Sequence, residues 1–153
     1  MIAQAILNLG YTGAFAVYAD GKIDWQDGQP TFTQSSIDAE VTKLTFNKVV
    51  ANKIKELESD YISKNQVPIE YMGTTFQADY KSQDIISRVL TAGSVPADFY
   101  WLDITNAKIP MTYAQLQGLA MALLERNQVN FDNLQTQKSA INKATTVEQV
   151  QAI

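Results

Sequence analysis

The chain has no cysteine and no histidine. The first absence excludes a disulfide framework, a thiolate zinc site and a cysteine nucleophile. The second removes the usual general base near neutral pH and the commonest metal ligand. A Ser-His-Asp arrangement cannot be assembled within this chain. Charge is scarce as well. Charged residues make up 18% of the sequence, below the roughly 25% usual for globular domains, and Gln, Asn, Thr and Ser take their place. The net charge of −4 is spread evenly, with eight acidic and six basic side chains in residues 1–65 and the same in residues 66–153. No basic stripe exists to neutralise phosphates or to meet an anionic membrane surface, so neither nucleic acid nor membrane is an expected partner. No apolar run approaches the ~20 residues needed to span a bilayer. The start, Met1 to Gly10, carries no positive n-region, so it does not read as a signal peptide. No Asn-x-Ser/Thr acceptor occurs.

What remains is carboxylate, lysine or oxygen-ligand chemistry. Asp98 and Asp103 flank Phe99-Tyr100-Trp101-Leu102, and Asp24 and Asp27 flank Trp25-Gln26. A glycosidase needs two carboxyls about 5–10 Å apart across a cleft. Residues five apart on a strand are too distant and point to opposite faces. Aspartates at turns and strand ends are the plainer reading. Glu56, Glu58 and Asp60 read as a solvated helix face. No EF-hand loop, phosphate-binding loop or GxGxxG is present. The sequence therefore predicts no catalytic residue, no cofactor and no metal, and a protein that binds and builds rather than one that catalyses.

The pattern along the chain predicts an α+β fold in three parts. Residues 1–34 read as a β-rich module. Ala14 to Ala19 and Lys22 to Trp25 are strand-like, and Asp20-Gly21 between them predicts a two-residue hairpin turn. Ile2 to Leu9 fits a strand or a short helix. Residues 35–66 hold one long helix, over 36–64, capped by Ser35 or Ser36 and uninterrupted until Pro68. At about 29 residues it spans roughly 43 Å. Ile37, Val41 and Leu44 form one apolar stripe; Phe46, Val50, Ile54, Leu57 and Tyr61 form a second, displaced around the helix. The displacement breaks a strict heptad. These eight residues are the expected interface of a homo-oligomer; the alternative is that the helix folds over its own C-terminal domain.

Residues 67–153 read as a compact unit of hairpins packed with three to four helices. Ile69 to Gln77 is a hairpin turning at Gly73. Asp79 caps a helix carrying Ile85, Ile86, Val89 and Leu90, which Gly93 ends. Phe99 to Met111 forms a second hairpin, with Pro110 on an edge. Thr112 caps a helix with the stripe Leu116, Leu119, Leu123. Phe131, Leu134 and Ile141 give the buried face of a further helix. Thr145 to Glu148 predicts a capping box for a last short helix.

Phe76-Gln-Ala-Asp79, Ser82, Ile85, Trp101, Asn106, Ile109-Pro-Met-Thr112, Leu119, Ile141, Ala144-Thr145, Val150 and Ile153 together resemble an uncharacterised C-terminal domain of bacteriophage and prophage tail proteins, including tail-fibre-associated ones. Ile23-Asp-Trp25, Pro30 and Ile37-Asp-Ala-Glu40 are similar to the segment that precedes it in such proteins. The chain departs from that pattern in Leu102, Ile104 and the lack of a histidine in the helix pair. The resemblance implies a structural component of a phage tail, an adaptor at the tail fibre or baseplate, made in the bacterial host cytoplasm and carried in the virion. Its implied partners are other tail proteins and further copies of itself. The alternative it leaves open is a tail-fibre assembly chaperone absent from the particle.

Overall fold

A computed structural model describes residues 1–153. Five helices and three two-stranded antiparallel hairpins follow one another: α1 (Ile2–Asn8), β1 (Phe15–Val17), β2 (Ile23–Trp25), α2 (Gln34–Lys64), β3 (Ile69–Tyr71), β4 (Thr74–Phe76), α3 (Tyr80–Thr91), β5 (Tyr100–Leu102), β6 (Lys108–Pro110), α4 (Tyr113–Lys143) and α5 (Val147–Gln151). This is the expected α+β class, with the long helix in place. The chain divides into two compact units, Met1–Ile54 with Ile141–Ile153, and Lys55–Ala140. The sequence-based boundaries near residues 34 and 66 differ from these, because both long helices contribute to both units.

In the first unit, the ambiguous start is a helix. Its Ala5 and Ile6 are wholly buried with Ile37, and Val17, Ile23, Val41 and Leu44 pack around them. Tyr11, Phe15, Trp25 and Phe32 form an aromatic cluster with ring centroids 5.0 Å apart for Tyr11 and Trp25 and 6.2 Å for Trp25 and Phe32. Edge-to-face geometry suits the ring quadrupoles. The β1–β2 turn corrects the two-residue expectation. Tyr18 N–H donates to Lys22 C=O (2.9 Å) and Gly21 N–H to Tyr18 C=O (3.0 Å), so three residues form the loop. This is a type I turn closed by a bulge, and its last position needs positive φ. Gly21 supplies it, at φ 85°.

The cap of α2 is Thr33, whose Oγ1 accepts from Ser36 N–H (3.3 Å); the expected Ser35 and Ser36 lie inside the helix. Likewise the last cap is one residue later than expected. Thr146 and Gln149 form the reciprocal box, because Thr146 is the residue with extended backbone.

The second unit holds the larger core, Phe76, Ala78, Ile86, Met111, Leu116, Leu119 and Leu123. The β3–β4 hairpin turns on Met72 and Gly73, both at positive φ, with Tyr71 opposite Thr74. Asp79 caps α3 by accepting from Ser82 N–H (3.0 Å) and Ser82 Oγ (2.9 Å). Gly93, at φ 79°, follows its end. The β5–β6 loop repeats the first hairpin's geometry with Asn106, at φ 64°, in the glycine's place. Two helices expected over residues 113–143 are one. No proline interrupts the segment, and its single glycine, Gly118, serves packing. A Cβ there would lie 2.0 Å from the Tyr71 hydroxyl oxygen, so the missing side chain is what lets Tyr71 reach α4.

Candidate docking surfaces

The eight residues expected to form an interface on α2 are not an open face. Ile37 and Leu57 are buried, and Val41, Leu44, Phe46, Val50, Ile54 and Tyr61 are half-buried. Val41 and Leu44 belong to the first unit's core. Tyr61 donates to Asn127 Oδ1 (2.6 Å) and meets the edge of Phe131 at 6.3 Å. Ile37, Val41 and Leu44 are used in the first unit's core and Tyr61 in the second unit, while Phe46, Val50 and Ile54 stay half-buried, so the stripe expected for self-association is only partly open. The period of a helix does not tell which neighbour covers it.

The open helical face lies on α4 instead. Ala114, Gln117, Met121, Leu124, Gln128, Phe131 and Gln135 recur at intervals of three and four, and every one is exposed. Met121 is 54%, Leu124 58% and Phe131 44% exposed. None is charged. Phe131 was expected in the core; it meets Tyr61 in a T-shaped pair and stays partly open to solvent. The signal was legible in one respect. A 3-4 spacing of uncharged residues runs through α4 beside the buried row Leu116, Leu119 and Leu123, but only the fold decides which row faces inward. Next to Leu124, α3 and α4 enclose a groove of about 530 Å³ lined by Ile86, Leu90, Ala120, Leu123 and Leu124, with Gln83, Ser87, Thr91 and Asn127 at its polar positions.

A second concavity, about 380 Å³, separates the start of α3 from β5. Gln77, Asp79, Lys81, Ser82, Ile85, Tyr100, Trp101 and Leu102 line it. Ile85, Tyr100 and Leu102 are exposed, and β5 has a neighbouring strand, β6, on one side only. Lys81 has no carboxylate partner. Both Asp79 oxygens are engaged by Ser82, and these bonds hold its carboxyl below the usual carboxylate range.

Of the four aspartates weighed in the sequence, Asp27 and Asp103 hold loops, while Asp24 on β2 and Asp98 are exposed. Asp103 Oδ1 accepts from Thr105 Oγ1 (2.7 Å), Thr105 N–H (2.7 Å) and Ala107 N–H (2.9 Å), and these donors, Thr105 foremost, lower its pKa. Asp27 Oδ2 accepts from Ala14 N–H (2.8 Å). Charge at such positions stabilises a turn by meeting backbone donors. No group of three or more acidic side chains is gathered that could hold a metal ion, and no helix is long and apolar enough to cross a membrane.

Sequence reasoning missed a polar hub where α2 ends. Asn65 is 3% exposed. Its side chain accepts from Asn130 Nδ2 (2.7 Å) and donates to Asn127 Oδ1 (3.2 Å). Its carbonyl accepts from Gln83 Nε2 (2.9 Å) and Arg126 Nη2 (2.7 Å), and Arg126 Nη1 donates to the Val67 carbonyl. Burial pushes the Arg126 pKa down. Pro68 stops α2, and the guanidinium takes over carbonyls that a continuing helix would have bonded. The hub is structural: its polar groups face one another, with Arg126 Nε the one buried nitrogen left without a partner.

The model of one protein family, described as Domain of unknown function (DUF4376), matches residues 48–153. No curated protein and no solved structure matches the chain.

Proposed function

The chain belongs to the DUF4376 family, and for this member we propose a structural role in a bacteriophage tail, as an adaptor at the tail fibre or baseplate. The exposed uncharged row of α4 carries the reading. Seven neutral residues at coiled-coil spacing, continuous through Leu124 with an apolar groove, suit a partner helix laid along the second unit. Isolated exposed apolar residues are ordinary, but Met121 and Leu124 adjoin the apolar groove and Phe131 shares their face, with glutamines between and beyond them, and an apolar patch rimmed by polar residues is the form a docking surface takes. The likeness of Phe76 to Asp79, Trp101 and Ile109 to Thr112 to tail proteins supports the setting. Its partners are other tail proteins and further copies of the chain. It is made in the host cytoplasm and retained in the virion, and it has no catalytic role.

The test is the composition of the particle. Mass spectrometry of purified virions should find the protein in fixed ratio to the other tail parts. Virions carrying Met121→Lys with Leu124→Lys should lose it, while the purified variant keeps its circular dichroism and melting temperature, because both side chains are exposed. A protein absent from wild-type particles but required for fibre folding would refute the structural role and make it an assembly chaperone.

A further inference from the structure

The two edges of the β5–β6 hairpin are not alike. Met111 N–H donates to Phe99 C=O and Asp103 N–H to Ala107 C=O, both at 3.1 Å, and Trp101 lies opposite Ile109. These alternate residues aim their backbone groups across the hairpin, so the residues between them aim theirs outward. On β6 the outward positions are Lys108 and Pro110. Pro110 has no N–H to offer, and the Lys108 ammonium is turned over the Tyr100 ring of β5, 4.4 Å from its centroid. On β5 the outward positions are Tyr100 and Leu102, both of which have an N–H to offer. The far end of that edge is already used: Ile104 N–H donates to Thr75 C=O (3.0 Å), and Phe76 bridges to Asp103. The Tyr100 backbone and the Leu102 N–H are left facing the concavity beside α3.

We propose that this β5 edge is a strand-addition site for an extended acidic peptide segment of another protein. The free backbone groups specify a strand as the complement. The exposed Tyr100, Leu102 and Ile85 give apolar seats to its alternate side chains. The charge balance specifies the rest. One carboxylate, Asp79, and two cations, Lys81 and the Lys108 ammonium over the Tyr100 ring, stand at the concavity, and neither lysine has a carboxylate partner, so a glutamate or aspartate on the incoming strand finds a partner there. The site goes beyond the adaptor role proposed above: it is separate from the α4 row, and its test uses different residues, so either reading can fail alone.

The test uses the full chain, ¹⁵N-labelled, titrated with the blocked peptide acetyl-Thr-Val-Glu-Val-Thr-amide and its glutamine analogue. Shifts should centre on Lys81, Ile85 and Tyr100 to Leu102. Tyr100→Pro and Tyr100→Val both remove the ring, and proline alone also removes the outward N–H and fixes φ, so it should bind about tenfold more weakly than Tyr100→Val, because the peptide carbonyl is left without a donor. Lys81→Met touches no internal contact and should abolish the preference for the glutamate peptide, which keeps the proposal testable even if Tyr100→Pro perturbs the fold. Absence of binding at millimolar peptide would overturn the proposal, as would equal binding by Tyr100→Pro and Tyr100→Val or an unchanged preference in Lys81→Met. Shifts at the same amides produced by octanoate but not by peptide would assign the cleft to a small amphiphile. Concentration-dependent shifts without peptide would assign it to a second copy. Either result overturns the proposal.

Discussion

Replacing Arg126 with methionine keeps the length of the stem and deletes the charge and the donors. Two charge-assisted hydrogen bonds are lost, to the Asn65 and Val67 carbonyls. Bonds of this kind contribute roughly 1.5–3 kcal/mol each. Two effects work the other way. The substitution releases the guanidinium's desolvation cost, which is what lowers its pKa, and it removes a buried Nε that has no hydrogen-bond partner, a deficit of about 1–3 kcal/mol. The Val67 carbonyl, on an exposed residue, regains water. The net loss is therefore about 2 kcal/mol, which for a chain of this size lowers the melting temperature by roughly 4–8 °C. Urea denaturation followed by circular dichroism should show a lower midpoint at unchanged m-value. Arg126→Lys should recover less than half of the loss, because one ammonium cannot span two carbonyls as a planar fork does. Amide exchange at Gln66 and Val67 should rise in both variants. A melting temperature within 1 °C of wild type (about 0.3 kcal/mol) in Arg126→Met, or full rescue by lysine, would refute the account of the hub.

Gly118→Ala gains helix propensity of about 1 kcal/mol but collides with Tyr71, whose hydroxyl oxygen would lie 2.0 Å from the new Cβ. It should destabilise the wild type and do so less in a Tyr71→Phe background, where the ring Cζ still lies 2.8 Å from the new Cβ; additive melting shifts in the double-mutant cycle would contradict this contact. The acid limb of stability reports Asp79. Its folded pKa is depressed, so its contribution is full above the ordinary carboxylate pKa near ~4 and is lost as pH falls through the lower folded value. Asn caps helices about as well as Asp, so Asp79→Asn should leave neutral-pH stability nearly unchanged and flatten the fall in urea midpoint below about pH 4; an identical acid limb would disprove the coupling.

Most of the fold's punctuation was legible locally. Asp79 capping α3, Gly93 after its end, Thr112 opening α4 and the turn at Gly73 depend on hydrogen bonds and backbone angles within a few residues, so residue type is enough to place them. Turn details were less legible. Asp20-Gly21 fits both a two-residue turn and a three-residue turn with a bulge, and the pairing of Tyr18 with Lys22 decides between them. The same limit moved the final cap from Thr145 to Thr146, where two adjacent threonines offer equivalent oxygens.

The candidate surfaces were the least legible part. Absent cysteine and histidine and the scarcity of charge are properties of composition, and they determined by themselves which chemistries this chain lacks. Which uncharged row stays open was decided by packing alone. The stripes of α2 and the rows of α4 are both uncharged and helically spaced; Ile37 and Leu57 found neighbours, and Met121 and Leu124 did not. The open edge of β5 likewise exists only because β5 pairs on one side and Asp103 fixes the loop that follows it. A sequence states what each residue can bury or bond. Only the tertiary structure states which of those capacities the chain uses on itself and which it leaves open to solvent.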